Sequence, residues 1–513
     1  MAIPCPKLPQ SIPALIPHDR HRHSPPSLFS SSYKANPVRT LSAGGREKSK
    51  ITRLPSAMRD DSATALSSIL AELEVLNQEE GKRHYPLTER WREIQGVLDW
   101  AGLLDPMDPL LRAELIRYGE FAQACYDAFD YDPFSRYCGS CKYNRRKFFP
   151  SLGMAACGYE VTRYLYATSN ITLPNFFTTS RAANKTWSQR ANWIGYVAVA
   201  SDVSAARLGR RDIVVAWRGT ITRLEWVADL MDFLRPVADE GIPCPDESVK
   251  VESGFADLYT DKDPNCRFCK YSAREQVLTE VRKLVDHYTN AGEEVSISVT
   301  GHSLGSALAM LSAYDIAETG ANVGAGGKRT ATTVFSFSGP RVGNGRFKER
   351  FEGLGVKALR IVNVHDTVPK VPGIFINERM PESVRRLAEW LPWSYSHVGV
   401  ELALDHKHSP FLKETSDPSC FHNLEAHLHL LDGYHGKGKR FVLASGRDPA
   451  LVNKACDFLK DHHQVPPFWR QDENKGMIRA HDGRWMQAER QKMDDHPPDT
   501  HHHLRLLGLH KDN

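Results

Sequence analysis

Gly301-His302-Ser303-Leu304-Gly305 places a serine between two glycines. It follows the β-branched run Val295-Ser296-Ile297-Ser298-Val299-Thr300 and leads into the Ala-rich stretch that begins at Ser306. Strand, sharp turn and helix in that order form a nucleophile elbow, in which strained backbone lifts a serine hydroxyl toward a substrate and only small residues fit on either side. The pentapeptide alone is common by chance; its position between a strong strand and a good helix former carries the reading. The same turn makes the Leu304 amide a donor for a developing oxyanion, since the helix that follows it leaves its first N–H groups unpaired.

A serine hydroxyl is a poor nucleophile near neutral pH, so a histidine must take its proton and an acid must orient that histidine. Elbow serines of this kind occur in the α/β-hydrolase fold, where the acid follows the serine at a later strand end and the histidine comes last. Leu359-Arg360-Ile361-Val362-Asn363-Val364 is such a strand and ends at His365-Asp366, which makes Asp366 the leading acid. His397, His422, His427, His429 and His435 all follow it, and chain order does not choose among them. His422 opens a helix-like segment after a loop, whereas His427 and His429 lie inside that helix. A second oxyanion donor should sit at an earlier strand end, and Asp212-Ile213-Val214-Val215-Ala216-Trp217 runs into Arg218-Gly219-Thr220, so Thr220 is the candidate. Just beyond, Trp226, Val227, Leu230, Met231 and Leu234 form an apolar helical stripe. A core helix is the default account of such a stripe; beside an oxyanion loop it also fits a hinged lid.

The elements that must hold these groups alternate. Strand-like segments at 193–200, 212–217, 295–300, 334–338 and 357–364 are interleaved with helix-like segments at 273–288 and 306–316, which implies an α/β fold around a mostly parallel central sheet. Earlier, residues 67–78 and 109–129 read as amphipathic helices, the second with Leu111, Leu115, Tyr118, Phe121 and Cys125 on one face. Residues 320–328 form a glycine-rich loop, and beyond about Gly446 the pattern weakens into an extension with a histidine-rich tail at 501–503. The expected organisation is a leader at 1–52, a helical extension at 53–107, a catalytic domain at 108–445 and a C-terminal extension at 446–513.

The chain has 513 residues, 41% of them hydrophobic, with a formal charge of +4, which is the composition of a globular protein with a full core. No apolar stretch approaches the roughly 18 to 20 residues of a membrane span, so any membrane contact is expected to be peripheral. The near-neutral balance argues against nucleic acid as a partner. Residues 1–51 are rich in Ser, Pro, Arg and Lys with only Asp19 and Glu47 as acids, the composition of an organelle transit peptide, and the Ser-rich start at Met1-Ala2 favours the plastid. Ten cysteines do not make a disulfide scaffold in a chain this long. Two CxxC pairs, Cys138/Cys141 and Cys266/Cys269, have the spacing of zinc ligands or a redox couple, or are simply buried thiols.

Taken together, Trp217-Arg218-Gly219-Thr220, Trp226-Val227-Ala228-Asp229-Leu230, Gly301-His302-Ser303-Leu304-Gly305, Ser338-Gly339-Pro340-Arg341-Val342-Gly343 and Asn363-Val364-His365-Asp366 resemble the class 3 lipases. Within that family the sequence is most similar to plant class I phospholipase A1 enzymes of the chloroplast gamma type, from about Leu87 to Trp485, including Cys138-Gly139-Ser140-Cys141 and Trp469-Arg470-Gln471-Asp472-Glu473. The resemblance implies Ser303 as nucleophile, Asp366 as acid and, by the His422-Asn423-Leu424-Glu425 segment, His422 as base. It also implies release of the sn-1 acyl chain of phosphatidylcholine and plastid galactolipids, with triacylglycerol a further substrate, and no required metal ion or other cofactor. Two other readings keep the same residues: an acyltransferase using this triad, and a catalytically silent interaction module.

Overall fold

The protein is described here by a computed structural model, which covers residues 86–132, 135–168, 188, 190–220, 233–373, 394–470, 477–479, 481, 485–487 and 500–509. The expected leader, the helix at 67–78 and the lid stripe at Trp226, Val227, Leu230 and Met231 lie outside the described residues.

Strands β1 (Tyr159–Thr168), β2 (Ala191–Ala200) and β3 (Arg211–Trp217) precede a two-stranded hairpin of β4 (Leu234–Pro236) and β5 (Lys250–Glu252). Strands β6 (Val295–His302), β7 (Ala331–Phe337), β8 (Lys357–Asn363) and β9 (Val400–Leu404) follow. The main sheet has the order β1-β2-β3-β6-β7-β8-β9, antiparallel across its first two pairs and parallel from β3 onward. Helices cover both faces, as a mostly parallel sheet requires, giving the α/β-hydrolase fold.

Helices α1 (Leu87–Ile94), α2 (Pro109–Ala128), α3 (Ala273–Asn290), α4 (Leu304–Glu318), α5 (Gly345–Gly353) and α6 (Leu424–Gly433) follow in chain order. Alternate strand residues feed two separate cores: Val214, Ala216, Phe335 and Leu359 pack with α2 and α6, while Ile213, Val215, Ile297 and Val334 pack with α3 and α4. Residues after Gly446 are not all peripheral, since Val452, Cys456, Phe458 and Leu459 join the α2 and α6 core.

The register brings the motifs together. Trp217 pairs with Gly301, His302 with Phe337, Phe337 with Ile361, and Asn363 with Leu404, so the parallel strands finish abreast. The segments that follow them carry Gly219-Thr220, Ser303, Ser338 and Asp366. Ligand sites of such sheets lie at this carboxyl edge.

Strand β6 shows why sequence pattern and burial part company. Ile297 and Val299 enter one core, but Ser296 and Ser298 on the opposite face are also fully buried. They are satisfied by Asp212 on β3, which accepts hydrogen bonds from Ser296 and Ser298 (both 2.8 Å), Tyr118 (2.9 Å) and Tyr159 (2.8 Å). Arg210 adds a bond to Ser296 at 2.8 Å. A buried charge is tolerated when every neighbour pairs with it, and removing one partner strands the rest. Asp212→Ala is therefore expected to destabilise the fold by about 3 to 5 kcal/mol, read as a lowered denaturant midpoint; a midpoint within error of the native one would refute the account.

Candidate active site

Ser303 sits at φ 60° and ψ −130°, the strained backbone of an elbow. Its neighbours must be glycine for reasons of space. A Cβ on Gly301 would lie 2.2 Å from the Gly305 carbonyl oxygen, and one on Gly305 would lie 2.5 Å from the Trp217 carbonyl oxygen. The turn is braced from behind: Ser303 donates its amide to the Phe337 carbonyl at 2.9 Å, and the Ser306 hydroxyl donates to the Gly301 carbonyl at 2.6 Å. Leu304 opens α4, so its amide is one of the N–H groups that the helix leaves unpaired.

The loop after β3 is held by Arg218. Its fully buried guanidinium donates to the Trp193 carbonyl (3.0 Å), the Gly219 carbonyl (3.0 Å) and Asn192 Oδ1 (3.2 Å), and lies 3.9 Å over the Phe129 ring. Because a trans peptide points its C=O and the next N–H in opposite directions, fixing the Gly219 carbonyl turns the Thr220 N–H the other way. The Thr220 Oγ1 is buried and has no hydrogen-bond partner among the described residues.

Gly219 is the point of closest approach between this loop and the elbow. A Cβ there would meet Tyr126 Oη at 2.1 Å, the His302 carbonyl at 2.5 Å and Ser303 Cβ at 3.3 Å. Gly219→Ala must therefore push the loop off the serine. We expect kcat to fall about 100- to 1,000-fold, the value of one oxyanion donor, with a lowered melting temperature as well, since the His302 carbonyl is backbone and must shift; near-native kcat would show that the loop does not serve the reaction.

Of the five candidate histidines His397, His422, His427, His429 and His435, His422 is the one whose ring is hydrogen-bonded to Asp366. Its Nδ1–H donates to Asp366 Oδ2 at 2.6 Å, and Asp366 Oδ1 accepts the Val368 amide at 2.9 Å. That tautomer leaves Nε2 as an acceptor, and Nε2 is buried without a partner among the described residues. Burial alone would raise the Asp366 carboxyl, but the adjacent His422 charge and hydrogen bond hold it below its ordinary value. Sequence reading placed a helix start at His422; the helix α6 instead begins at Leu424 behind an Asn423 cap, leaving His422 in the junction after the short helix Pro418–Phe421.

The remaining histidines have other work. His397 donates from Nε2 to the Pro369 carbonyl at 2.7 Å, His429 meets Ser409 at 2.8 Å, and His435 lies beside Arg112 at 3.1 Å. His427 donates from Nδ1 to the Asn423 carbonyl at 2.8 Å and accepts from the Ser338 hydroxyl at 2.6 Å.

Tyr126 escaped the sequence, and His302, expected only as an elbow residue, has a further role. His302 donates from Nε2 to the backbone carbonyl of His422 at 2.8 Å, so its Nδ1 accepts from the Tyr126 hydroxyl, also at 2.8 Å. Tyr126, His302 and the His422 backbone thus form one chain that ties α2 and the elbow to the histidine loop. Burial, reinforced by His422 and His427 nearby, holds the His302 imidazole well below its ordinary pKa, so it stays neutral. The available signal was Tyr126 at two turns from Tyr118 on the same helix face.

Neither CxxC pair belongs to a metal-capable cluster of three or more ligands among the described residues. In the second pair, a hydrogen bond from Cys269 lowers the Cys266 thiol to about 6.

The profile of the lipase (class 3) family matches residues 214–376. Phospholipase A1-Igamma1, chloroplastic, of Arabidopsis thaliana is 61% identical over 494 residues, covering 95% of this chain and 94% of that protein. Phospholipase A1-Igamma2, chloroplastic, of the same plant is 65% identical over 426 residues, 82% and 80% of the two chains. Among solved structures, a lipase from Rhizopus microsporus var. chinensis is similar at 21% identity and a TM-score of 0.35, covering 59% of this chain and 76% of that one. The chain belongs to the class 3 lipase family, in its phospholipase A1-Igamma group, and is a carboxylic ester hydrolase.

Proposed function

We propose that the protein hydrolyses the sn-1 acyl ester of membrane glycerolipids, phosphatidylcholine and plastid galactolipids first among them, by acyl-enzyme chemistry at Ser303. The observation that carries the chemistry is the 2.6 Å bond between His422 Nδ1 and Asp366, which leaves a buried Nε2, without a partner among the described residues, on a loop tied to the elbow by His302. His422 takes the Ser303 proton as the hydroxyl attacks the ester carbonyl, and Asp366 stabilises the imidazolium that results. The tetrahedral oxyanion is held by the amides of Leu304 and Thr220, with the Thr220 hydroxyl as a third donor. His422 then protonates the leaving lysolipid oxygen, and water, activated by the same histidine, hydrolyses the acyl-serine.

The lipid substrate and the plastid are supported by the phospholipase A1 and chloroplastic names of the relatives. No described helix is long and apolar enough to cross a membrane, which fits a peripheral contact, with the stripe around Trp226 and Leu230 as the lid and residues 1–52 as the transit peptide.

The test is to incubate the purified chain from Arg53 with phosphatidylcholine and monogalactosyldiacylglycerol labelled separately at sn-1 and sn-2. Release of the sn-1 label is expected. Preferential sn-2 release would overturn the regiospecificity, and release from neither lipid at a lipid interface would overturn the substrate assignment.

A further inference from the structure

The carboxyl ends of β8 and β9 carry a second group of side chains, on the far side of Asp366 from the elbow. Because these strands are parallel neighbours with Asn363 opposite Leu404, the residues just beyond them, His365, Asp405 and His406, stand side by side. His365 Nε2 lies 3.1 Å from Asp405 Oδ1, and the His365 and His406 rings meet edge to face at 4.6 Å and 70°. One ligand atom from each of the three falls within 4.8 Å of the others.

We propose that His365, Asp405 and His406 form a binding site for a divalent cation of the zinc class. Two imidazoles and one carboxylate suit Zn2+, whereas Ca2+ and Mg2+ ask for oxygen ligands throughout. Three protein ligands leave a coordination position for water. An ion pair between His365 and Asp405 explains two of the groups but not the third ring set against them. Metal–nitrogen bonds of about 2.0 Å bring ligand atoms to roughly 3.3 Å from one another, so the group must close slightly. His365 and Asp405 are half-exposed and can turn to do so, while His406 is buried and fixed by stacking on Phe421 at 4.8 Å and 24°.

The surroundings have the form of an outer shell. Asn363 Oδ1 lies 3.4 Å from both His406 Nδ1 and the His365 amide, and the Lys407 amide donates to Asp405 Oδ1 at 2.9 Å. Such partners orient ligating side chains. His365 adjoins Asp366 in sequence, so a bound cation would clasp the end of β9 to the strand end that carries the acid, and it would reach the base only through the stacking of His406 on Phe421, the neighbour of His422.

The experiment titrates the EDTA-treated full chain with Co2+, followed by the visible bands of coordinated Co2+ and by calorimetry. Binding is read without substrate, so its outcome is separate from that of the hydrolase assignment. One saturable Co2+ per chain is expected, displaced by Zn2+ and raising the melting temperature. His365→Asn, at the half-exposed position, and His406→Ala should each weaken it by more than about 100-fold, beyond the loss that outer-shell changes cause. Replacing His501, His502 and His503 together with alanine should leave the signal unchanged. Circular dichroism of each variant separates loss of the ligand from loss of fold. Absence of saturable Co2+ binding, or binding that survives in folded His365→Asn, would overturn the proposal.

Discussion

Ser303→Ala is expected to lower lipid hydrolysis by about 10,000-fold or more while leaving the fold intact. The size follows from the way a serine, histidine and acid act as one unit, so that losing any member leaves only the contribution of binding and the oxyanion donors. The fold survives because alanine keeps the serine Cβ and the elbow's constraints lie elsewhere: in Gly301 and Gly305, whose backbones touch their neighbours, and in the Ser306 hydroxyl bond to Gly301. Two measurements together decide it. A fluorophosphonate probe should label the native chain and not the variant, and calorimetric melting should differ by no more than the strain of the turn. Labelling of the variant, or turnover within about 10-fold of native, would move the nucleophile to another residue. Asp366→Asn should fall by a similar factor, since an amide in that position no longer favours the tautomer with Nε2 free.

The elbow was legible in the sequence because its constraints are local: strand, turn and helix follow one another within a few residues, and the glycines are dictated by backbones close in the chain. The same holds for β3, β6, β7 and β8, which are buried on both faces and read as continuous apolar or β-branched runs. Strand β1 was not visible. It carries Glu160, Thr162 and Arg163 among its aromatics, and Arg163 is buried 4.0 Å from Glu280 on α3, a contact that no pattern in β1 announces. Strand β9 is five residues long at the sheet edge, too short for its alternation to stand out.

Long-range contacts account for the remainder. Chain order and strand ends pointed to Asp366, but the choice of His422 rested on resemblance, because the two lie 56 positions apart and the chain between them forms further elements before the side chains meet. The polar face of β6 reads as a solvent face until Asp212 and Tyr118 are placed over it. Tyr126 and His302 reach His422 from a helix and a strand far apart in sequence, and each is unremarkable alone. What a sequence hides here is the second partner of a buried polar group, since burial turns an ordinary hydroxyl or imidazole into an obligatory pair.

That same property predicts a steep loss of stability in mild acid. His302, His397, His427 and His429 are all held below their ordinary pKa, first by burial, His429 down to about 3. The cations that face them add to it for His397, against Arg360, Arg341 and Lys348, and for His429, against Arg447; for His427 the charge of Asp366 works in the opposite direction. In each case the unfolded chain binds a proton that the folded chain refuses, so their contribution is intact above about pH 6.5 and is lost as pH falls below it. Between pH 6.5 and 5.5 a histidine that refuses the proton throughout costs about 1 kcal/mol, so His302, His397 and His429, the three held far below their ordinary value, together cost about 3 kcal/mol, a large share of the roughly 5 to 15 kcal/mol that holds a domain folded, and His427 acts in the same direction. The melting temperature should therefore be nearly constant from pH 8 to 7 and drop sharply toward pH 5.5. His429→Gln, which cannot take up a proton, should show a shallower drop by about one proton's worth of slope. A melting temperature unchanged between pH 7 and 5.5 would mean that these rings carry charge inside the fold in spite of their burial, His397 and His427 through the Pro369 and Asn423 carbonyls that accept from them and favour the protonated ring.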